Sequence, residues 1–143
     1  MTQIDFYTNV PDRALTACTL ASKALARGLR MMILTTDQGA TQRLDALLWT
    51  QPSTGFLPHC RAHHRLAAVT PIILDHVAEP VIHEQILLNL RDELPPHFSR
   101  FERLIELVGA DETGREQARA RFRFYRDRGY GIRTHDLARN AGQ

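Results

Sequence analysis

Seven arginines crowd into residues 114–133, at positions 115, 119, 121, 123, 126, 128 and 133, against only two acids, Glu116 and Asp127. A guanidinium is always charged, grips carboxylates and phosphates through two parallel hydrogen bonds, and packs on aromatic faces. A row of them is therefore a device for holding an anion. The window carries +5 in a chain whose net charge is +2, so the remainder is −3 and the cationic character is local. Arginine outnumbers lysine 17 to 1, an excess that genomic base composition alone can produce, so placement is what counts. On a helix spanning about 111–128, Arg115, Arg119, Arg123 and Arg126 follow at spacings of four, four and three and share one stripe. Ala118, Phe122 and Tyr125 form an apolar stripe beside it, continued by Gly129. Three readings fit: a solvated basic face with its rings in the core, a phosphate-binding surface, or a groove for an acidic protein segment that ends in an apolar residue.

Other candidate chemistry is sparse. His59, Cys60, His63 and His64 are the one metal-like cluster, but their spacing matches no standard zinc signature and no second ligand pair exists elsewhere. They read as solvated loop histidines. Cys60 beside histidines has the parts of a nucleophile, yet no oxyanion-stabilising group can be named near it. Asp92-Glu93 and Asp111-Glu112 are adjacent pairs whose side chains diverge, and the second pair suits a helix first turn. No glycine-rich dinucleotide fingerprint, phosphate loop or Gly-x-Ser-x-Gly elbow occurs. The expectation is a protein without catalytic residues, cofactor or metal. A second feature runs from Leu47 to His59: Trp49, the chain's only tryptophan, is followed by Pro52, Phe56 and Pro58. Such residues on a turn anchor a partner or cover a sheet edge.

These groups need a scaffold, and the chain supplies its outline. Residues 4–7 read as a first strand. Residues 12–28 follow as a helix capped by Asp12 and closed by Gly28. Leu29 to Thr35 is a nearly continuous apolar run of the kind found in buried parallel strands, and a helix then runs from Asp37 or Thr41 to Trp49. Strand, helix, strand, helix argues for a doubly wound α/β sheet. Further along, 51–57 is a loop, 71–75, 86–90 and 104–108 are strands, 94–100 is a connection or short helix, and the arginine-bearing helix is stopped by Gly129. The segment from about 133 to 143 is expected to be a loose tail.

Length and composition agree with one globular domain over 1–143. The chain has 143 residues, 43% hydrophobic and 24% charged, enough for one core and too apolar for disorder. No apolar run reaches the roughly 18 residues of a membrane span, and residues 1–7 lack the features of a secretory signal. Two cysteines are too few for a disulfide framework, so a cytoplasmic setting is the simplest expectation.

Taken together, Phe6-Tyr7, Arg43-Leu-Asp-x-x-Leu-Trp49, Pro52-x-x-x-Phe56-x-Pro58-His59 and Ala118-Arg-x-Arg-Phe-Arg-x-Tyr-Arg126 resemble the chi subunit of bacterial DNA polymerase III in order and spacing across nearly the whole chain. The resemblance implies a Rossmann-like three-layer sandwich, a mostly parallel sheet with helices on both faces and no nucleotide site. It implies a non-catalytic clamp-loader accessory that pairs with a psi subunit and binds the acidic C-terminal tail of single-stranded-DNA-binding protein, meeting DNA only indirectly. The tail-binding positions of the family would fall on Val108, Arg115, Arg119, Phe122 and Arg123, and the psi contact would draw on Trp49, Pro52, Phe56 and Pro58. Two positions depart in type: the family's usual tyrosine is Phe122 here, and a position often lysine is Arg123. Many bacteria lack an evident psi subunit, so the psi contact is expected where the organism has one. The alternative is direct nucleic-acid binding through the arginine-rich last helix.

Overall fold

The computed structural model describes residues 1–50 and 56–138. Ten elements follow in order: β1 (Gln3–Thr8), α1 (Arg13–Ala26), β2 (Met31–Leu34), α2 (Gln38–Thr50), β3 (His59–Cys60), β4 (Ile72–Asp75), β5 (Ile86–Asn89), β6 (Arg103–Leu107), α3 (Glu112–Asp127) and β7 (Ile132–Asp136). The strands form one seven-stranded sheet in the order β3-β4-β2-β5-β6-β1-β7, with every pair parallel. The expected α/β architecture is what the chain adopts.

Local chemistry explains the boundaries. Asp12 caps α1 by accepting from the Leu15 amide, and Asp111 caps α3 by accepting from Gly114, each satisfying an amide the helix leaves unbonded. Asp37 does the same for α2, accepting from the Ala40 amide at 2.7 Å. Gly28 and Gly129 follow the ends of α1 and α3 at φ of 70° and 83°, left-handed values that glycine adopts without penalty. The central strands β2, β4 and β5 are buried along their whole length, as strands covered on both faces must be.

Alternation along the strands sorts side chains into two cores. Met31, Ile33, Leu74, Leu88 and Ile105 face α1 and α2. Ile4, Phe6, Met32, Leu34, Ile73, Leu87 and Leu104 face α3, which contributes Ala118 and Tyr125. Helices therefore cover both faces. Cys18 lies in the first core, where burial, reinforced by the charge of Asp12, pushes its thiol up to about 11 and leaves it unreactive.

Two expectations change. The chain from Ile132 to Asp136 is not loose but forms edge strand β7, paired with β1 from Ile4–Ile132 to Thr8–Asp136. Its sequence, Ile-Arg-Thr-His-Asp, has one apolar residue and no hydrophobic alternation. What docks it are side chains distant in sequence: His135 stacks on Tyr7 at 4.5 Å and bonds Asp5 at 2.9 Å, and Asn9 donates to Asp136 at 2.9 Å. His59 and Cys60 likewise form a short edge strand on β4. The His59 side chain is buried, with Nδ1 2.7 Å from the Leu57 carbonyl and Nε2 3.1 Å from Asp45. It is a packed residue, whereas His63 and His64 are exposed.

The second core contains a buried charge. Glu106, on β6, is fully buried and accepts from Arg121 Nε at 3.0 Å, Tyr125 Oη at 2.7 Å and Asn89 Nδ2 at 2.8 Å. Burial pushes its carboxyl above the usual range, while the Arg121 charge and the bonds from Tyr125, Asn89 and Arg121 pull back. Every group facing it is a donor, so the ionised form is the one this site accepts at neutral pH. Arg121 is thus not part of any surface patch, and Tyr125 is core rather than groove. Removing one partner strands the other charge, so Arg121→Ala is expected to destabilise the fold by about 3–5 kcal/mol. Arg123→Ala, on the exposed side of the same helix, should change it by no more than about 0.5 kcal/mol. Urea denaturation of both variants checks the contrast; equal losses would remove Glu106 and Arg121 as an anchoring pair.

Candidate functional site

A crevice is built into the sheet topology. β1 leads into α1 on one face, whereas its neighbour β6 leads into α3 on the other. The two chains part where they leave the strands' carboxyl ends, the place where open α/β sheets hold ligands. A cavity of about 400 Å³ opens there, within the size range of binding pockets.

Each wall has a local origin. Phe6, Thr8 and Asn9 come from β1 and the turn after it, Val108 and Gly109 from the end of β6, Thr134 from β7, and Arg115, Ala118, Arg119 and Phe122 from α3. The Val108 amide donates to Tyr7 and its carbonyl accepts from Val10, so strand-like pairing continues past β6 and fixes Val108 as a wall. Phe122 rests on Phe6 with ring centroids 5.5 Å apart and planes tilted by 58°, leaving it half-buried at the cavity's edge. The floor is thus aromatic and aliphatic, and the rim is cationic.

The two rim arginines are held differently. Arg115 donates to Asn9 Oδ1 at 2.7 Å, while Asn9 Nδ2 donates to Asp136. Asn9 sits at φ 54°, a left-handed value that asparagine tolerates better than most side chains, and it joins α3 to β7 across the cavity mouth. Arg119 reaches back along α3 to Glu112 at 2.8 Å, with both side chains more than half exposed. An internal carboxylate thus occupies the guanidinium. Arg123 is exposed, has no side-chain partner among the described residues and does not line the cavity. At 100° per residue it stands about 40° around the helix from Arg119, so it extends the cationic face beyond the rim. Of the five expected positions, Val108, Arg115, Arg119 and Phe122 share one cavity and Arg123 stands outside it. Asn9, Thr8, Gly109 and Thr134 were not foreseen. Asn9 lies between a strand and Pro11, a position that gives no hint in sequence of what it joins.

The aromatic turn lies toward the opposite edge of the sheet. Trp49 and Phe56 are 60% and 65% exposed, with ring centroids 5.2 Å apart. Trp49 also packs edge-on against the buried His59 ring at 4.9 Å, which props the pair outward. Pro58 is half-buried, and Pro52 lies outside the described residues. Among the described residues, no group of three or more His, Cys, Asp or Glu is arranged to hold a metal ion, and no helix is long and apolar enough to cross a membrane.

Comparison with known proteins adds a family. Residues 1–133 match the family described as DNA polymerase III chi subunit, HolC. The DNA polymerase III subunit chi of Pseudomonas aeruginosa is 35% identical, covering 97% of this chain and 99% of its own length. Those of Haemophilus influenzae and Escherichia coli are 25% and 26% identical over 85% and 82% of this chain.

Because β7 supplies Thr134 to the cavity and Asp136 holds Asn9 at its mouth, the site depends on what holds that strand. Asp5 is buried beneath it and meets Arg103 Nε at 2.8 Å, His135 Nε2 at 2.9 Å and Arg133 at 4.0 Å. Burial alone would raise its carboxyl, but the bonds from His135 and Arg103 and the charges of Arg103 and Arg133 outweigh it, and the net shift is downward. A carboxyl lowered by folding stabilises fully above its ordinary value of about 3.9, and that contribution fades as pH falls through the lowered value. Asp5→Asn is expected to cost about 1–3 kcal/mol at neutral pH. The gap from wild type should narrow below about pH 4. Chemical denaturation across that range checks this, and a gap independent of pH would deny Asp5 its ionic role.

Proposed function

The chain belongs to the DNA polymerase III chi subunit family, and from that premise we propose that it is a cytoplasmic, non-catalytic accessory subunit joining the clamp loader, through psi, to the acidic C-terminal tail of single-stranded-DNA-binding protein. The observation that carries the reading is the cavity of about 400 Å³ whose apolar walls, Val108, Phe122 and Phe6, lie against the guanidinium rim of Arg115 and Arg119. A terminal carboxylate next to an apolar ring is the ligand such a pocket complements.

The tail's final ring enters against Val108 and Phe122, and its carboxylate replaces Glu112 on Arg119. Aspartates upstream meet Arg115 and, outside the rim, Arg123. A charge-assisted bond contributes about 1.5–3 kcal/mol and burial of one aromatic ring about the same. After the ordering of a flexible tail, an affinity near about −8 kcal/mol, or micromolar, is the expected scale. The apolar floor favours this ligand over nucleic-acid phosphate, which needs cations but no pocket for a ring.

Titration with a free acidic peptide ending in Phe tests it. Arg119→Ala should weaken binding at least about tenfold with the fold intact, since alanine is the better helix former at an exposed position. Amidating the peptide's C-terminus should cost wild type similarly and the variant little, because both changes remove the same contact. Glu112→Gln, which frees Arg119 of its internal competitor, should tighten binding. Equal wild-type affinity for the free and amidated peptides would refute the role given to Arg119.

Trp49 and Phe56 form the proposed psi surface, joined by Pro58 and by Pro52. Exposed aromatic pairs on a rigid base are the residues that dominate interface energies. Trp49→Ala is expected to cost psi binding at least about 2 kcal/mol while leaving tail binding unchanged. Calorimetry with each partner separates the two effects, and a loss of tail binding would show that the surfaces are not independent.

A further inference from the structure

A second cationic pocket lies on the other side of the sheet. It has a volume of about 260 Å³ and is formed where the last turns of α1 pass over the first residues of β2, β5 and β6. Met31, Ile86 and Ile105 make its floor, and Lys23, Arg27 and Arg103 stand around it. No carboxylate lines it among the described residues. The side chains of Lys23 and Arg27 have no hydrogen-bond or ion-pair partner among the described residues, and Arg103 is tied only through Nε, to the buried Asp5.

Lys23 and Arg27 alone would be explained by the partial negative charge at a helix C-terminus, which basic side chains offset. Arg103 is not covered by that account. It comes from a different element, the start of β6, and faces the same opening. Three cations from α1 and β6 around an aliphatic floor make a surface complementary to an anion that carries an apolar side chain.

We infer that this pocket is a second binding site, for an acidic segment of a partner protein that inserts one aliphatic side chain between α1 and the sheet. The floor distinguishes this ligand from single-stranded nucleic acid. Binding of bases relies on exposed aromatic faces for stacking, whereas this floor is aliphatic, and the one ring in the lining, Tyr7, is already stacked on His135. The site uses the face of the sheet opposite to Phe6, Ala118 and Phe122 and involves no residue of the α3 cavity. Its occupancy and the tail reading therefore stand or fall separately.

The test is a methyl-detected NMR titration of the full chain, labelled at methionine and isoleucine, with the amidated probe Asp-Asp-Asp-Leu-Asp-Asp. The missing terminal carboxylate keeps the probe from using the contact assigned to Arg119. The Met31 and Ile86 methyl signals are expected to shift saturably in wild type and equally in Arg119→Ala. In the double variant Lys23→Gln, Arg27→Gln, whose positions are exposed, the affinity should fall at least about tenfold. No shift at these methyls up to millimolar probe, or the same affinity in the double variant, would overturn the site. Tighter binding there of a thymidine oligonucleotide would overturn the choice of ligand.

Discussion

The setting of α3 about its own axis is the constraint on which the remaining geometry rests, and one buried carboxylate imposes it. Arg121 and Tyr125, one turn apart, both bond Glu106, and Arg121 also donates to the Asp92 carbonyl. Through Asn89, Glu106 connects to the loop after β5, where Asn89 bonds the backbone of Arg91 and Glu93. The helix is thereby fixed in rotation as well as in position. At 100° per residue, the side opposed to Glu106 places Ala118 and Phe122 next around the helix and Arg115 and Arg119 beyond them, which is the sequence of floor and rim in the cavity. An apolar replacement would hold the helix to the sheet about as strongly, but it would accept several rotational settings. Directional bonds to a single carboxylate accept one.

The sheet adds a second constraint, the separation of surfaces. Strands lie about 4.8 Å apart, and β3 and β1 are five intervals apart in the order β3-β4-β2-β5-β6-β1-β7. The Trp49–Phe56 pair beside β3 and the cavity above β1 are consequently about 24 Å apart across a rigid sheet. If both act as the proposed binding surfaces, two partners could engage them at once without touching, and each would meet a different chemistry: exposed rings at one edge, guanidinium and an apolar wall at the other.

Much of this was legible in the sequence, and the rest was not for specific reasons. Continuous apolar runs such as Met31–Leu34 announce buried parallel strands, and Asp12, Gly28, Asp111 and Gly129 punctuate their helices with the residues that helix ends require. The arginine stripe pointed to α3, the helix whose Arg115 and Arg119 stand at the cavity. Strand β7 was hidden because its attachment is polar and long-range, through Asp5, Tyr7 and Asn9, and periodicity carries no trace of such contacts. Arg121 was hidden for a related reason. In sequence it is one of seven arginines, and only the fully buried Glu106, fifteen residues earlier, distinguishes it. His59 read as a loop residue because Pro58 precedes it in a polar stretch, while its actual neighbours are Trp49 and Asp45.

The fate of the seven arginines also bears on selectivity. Arg121 is committed to the core, Arg126 pairs with Asp127 at 3.2 Å, Arg128 lies over the Phe124 ring at 3.6 Å, and Arg133 stands near Asp5. Asp127 is already counted in the +5 of the window and Arg128 keeps its charge over the ring. Glu106, Glu112 and Asp5 outside the window, however, offset Arg121, Arg119 and Arg133. The surface field is therefore weaker than +5 implies, which disfavours a diffuse polyanion drawn by net charge alone. Around the cavity stand Arg115, steered by Asn9, and Arg119, held by Glu112, with Arg123 beyond them. Exposed ion pairs of the Arg119–Glu112 kind contribute at most about 1 kcal/mol, so in the proposed complex the internal carboxylate would be exchanged at little cost for an external one. That external group would gain more only if it arrived with a ring able to enter between Val108 and Phe122. Cation and pocket together set a condition that neither sets alone.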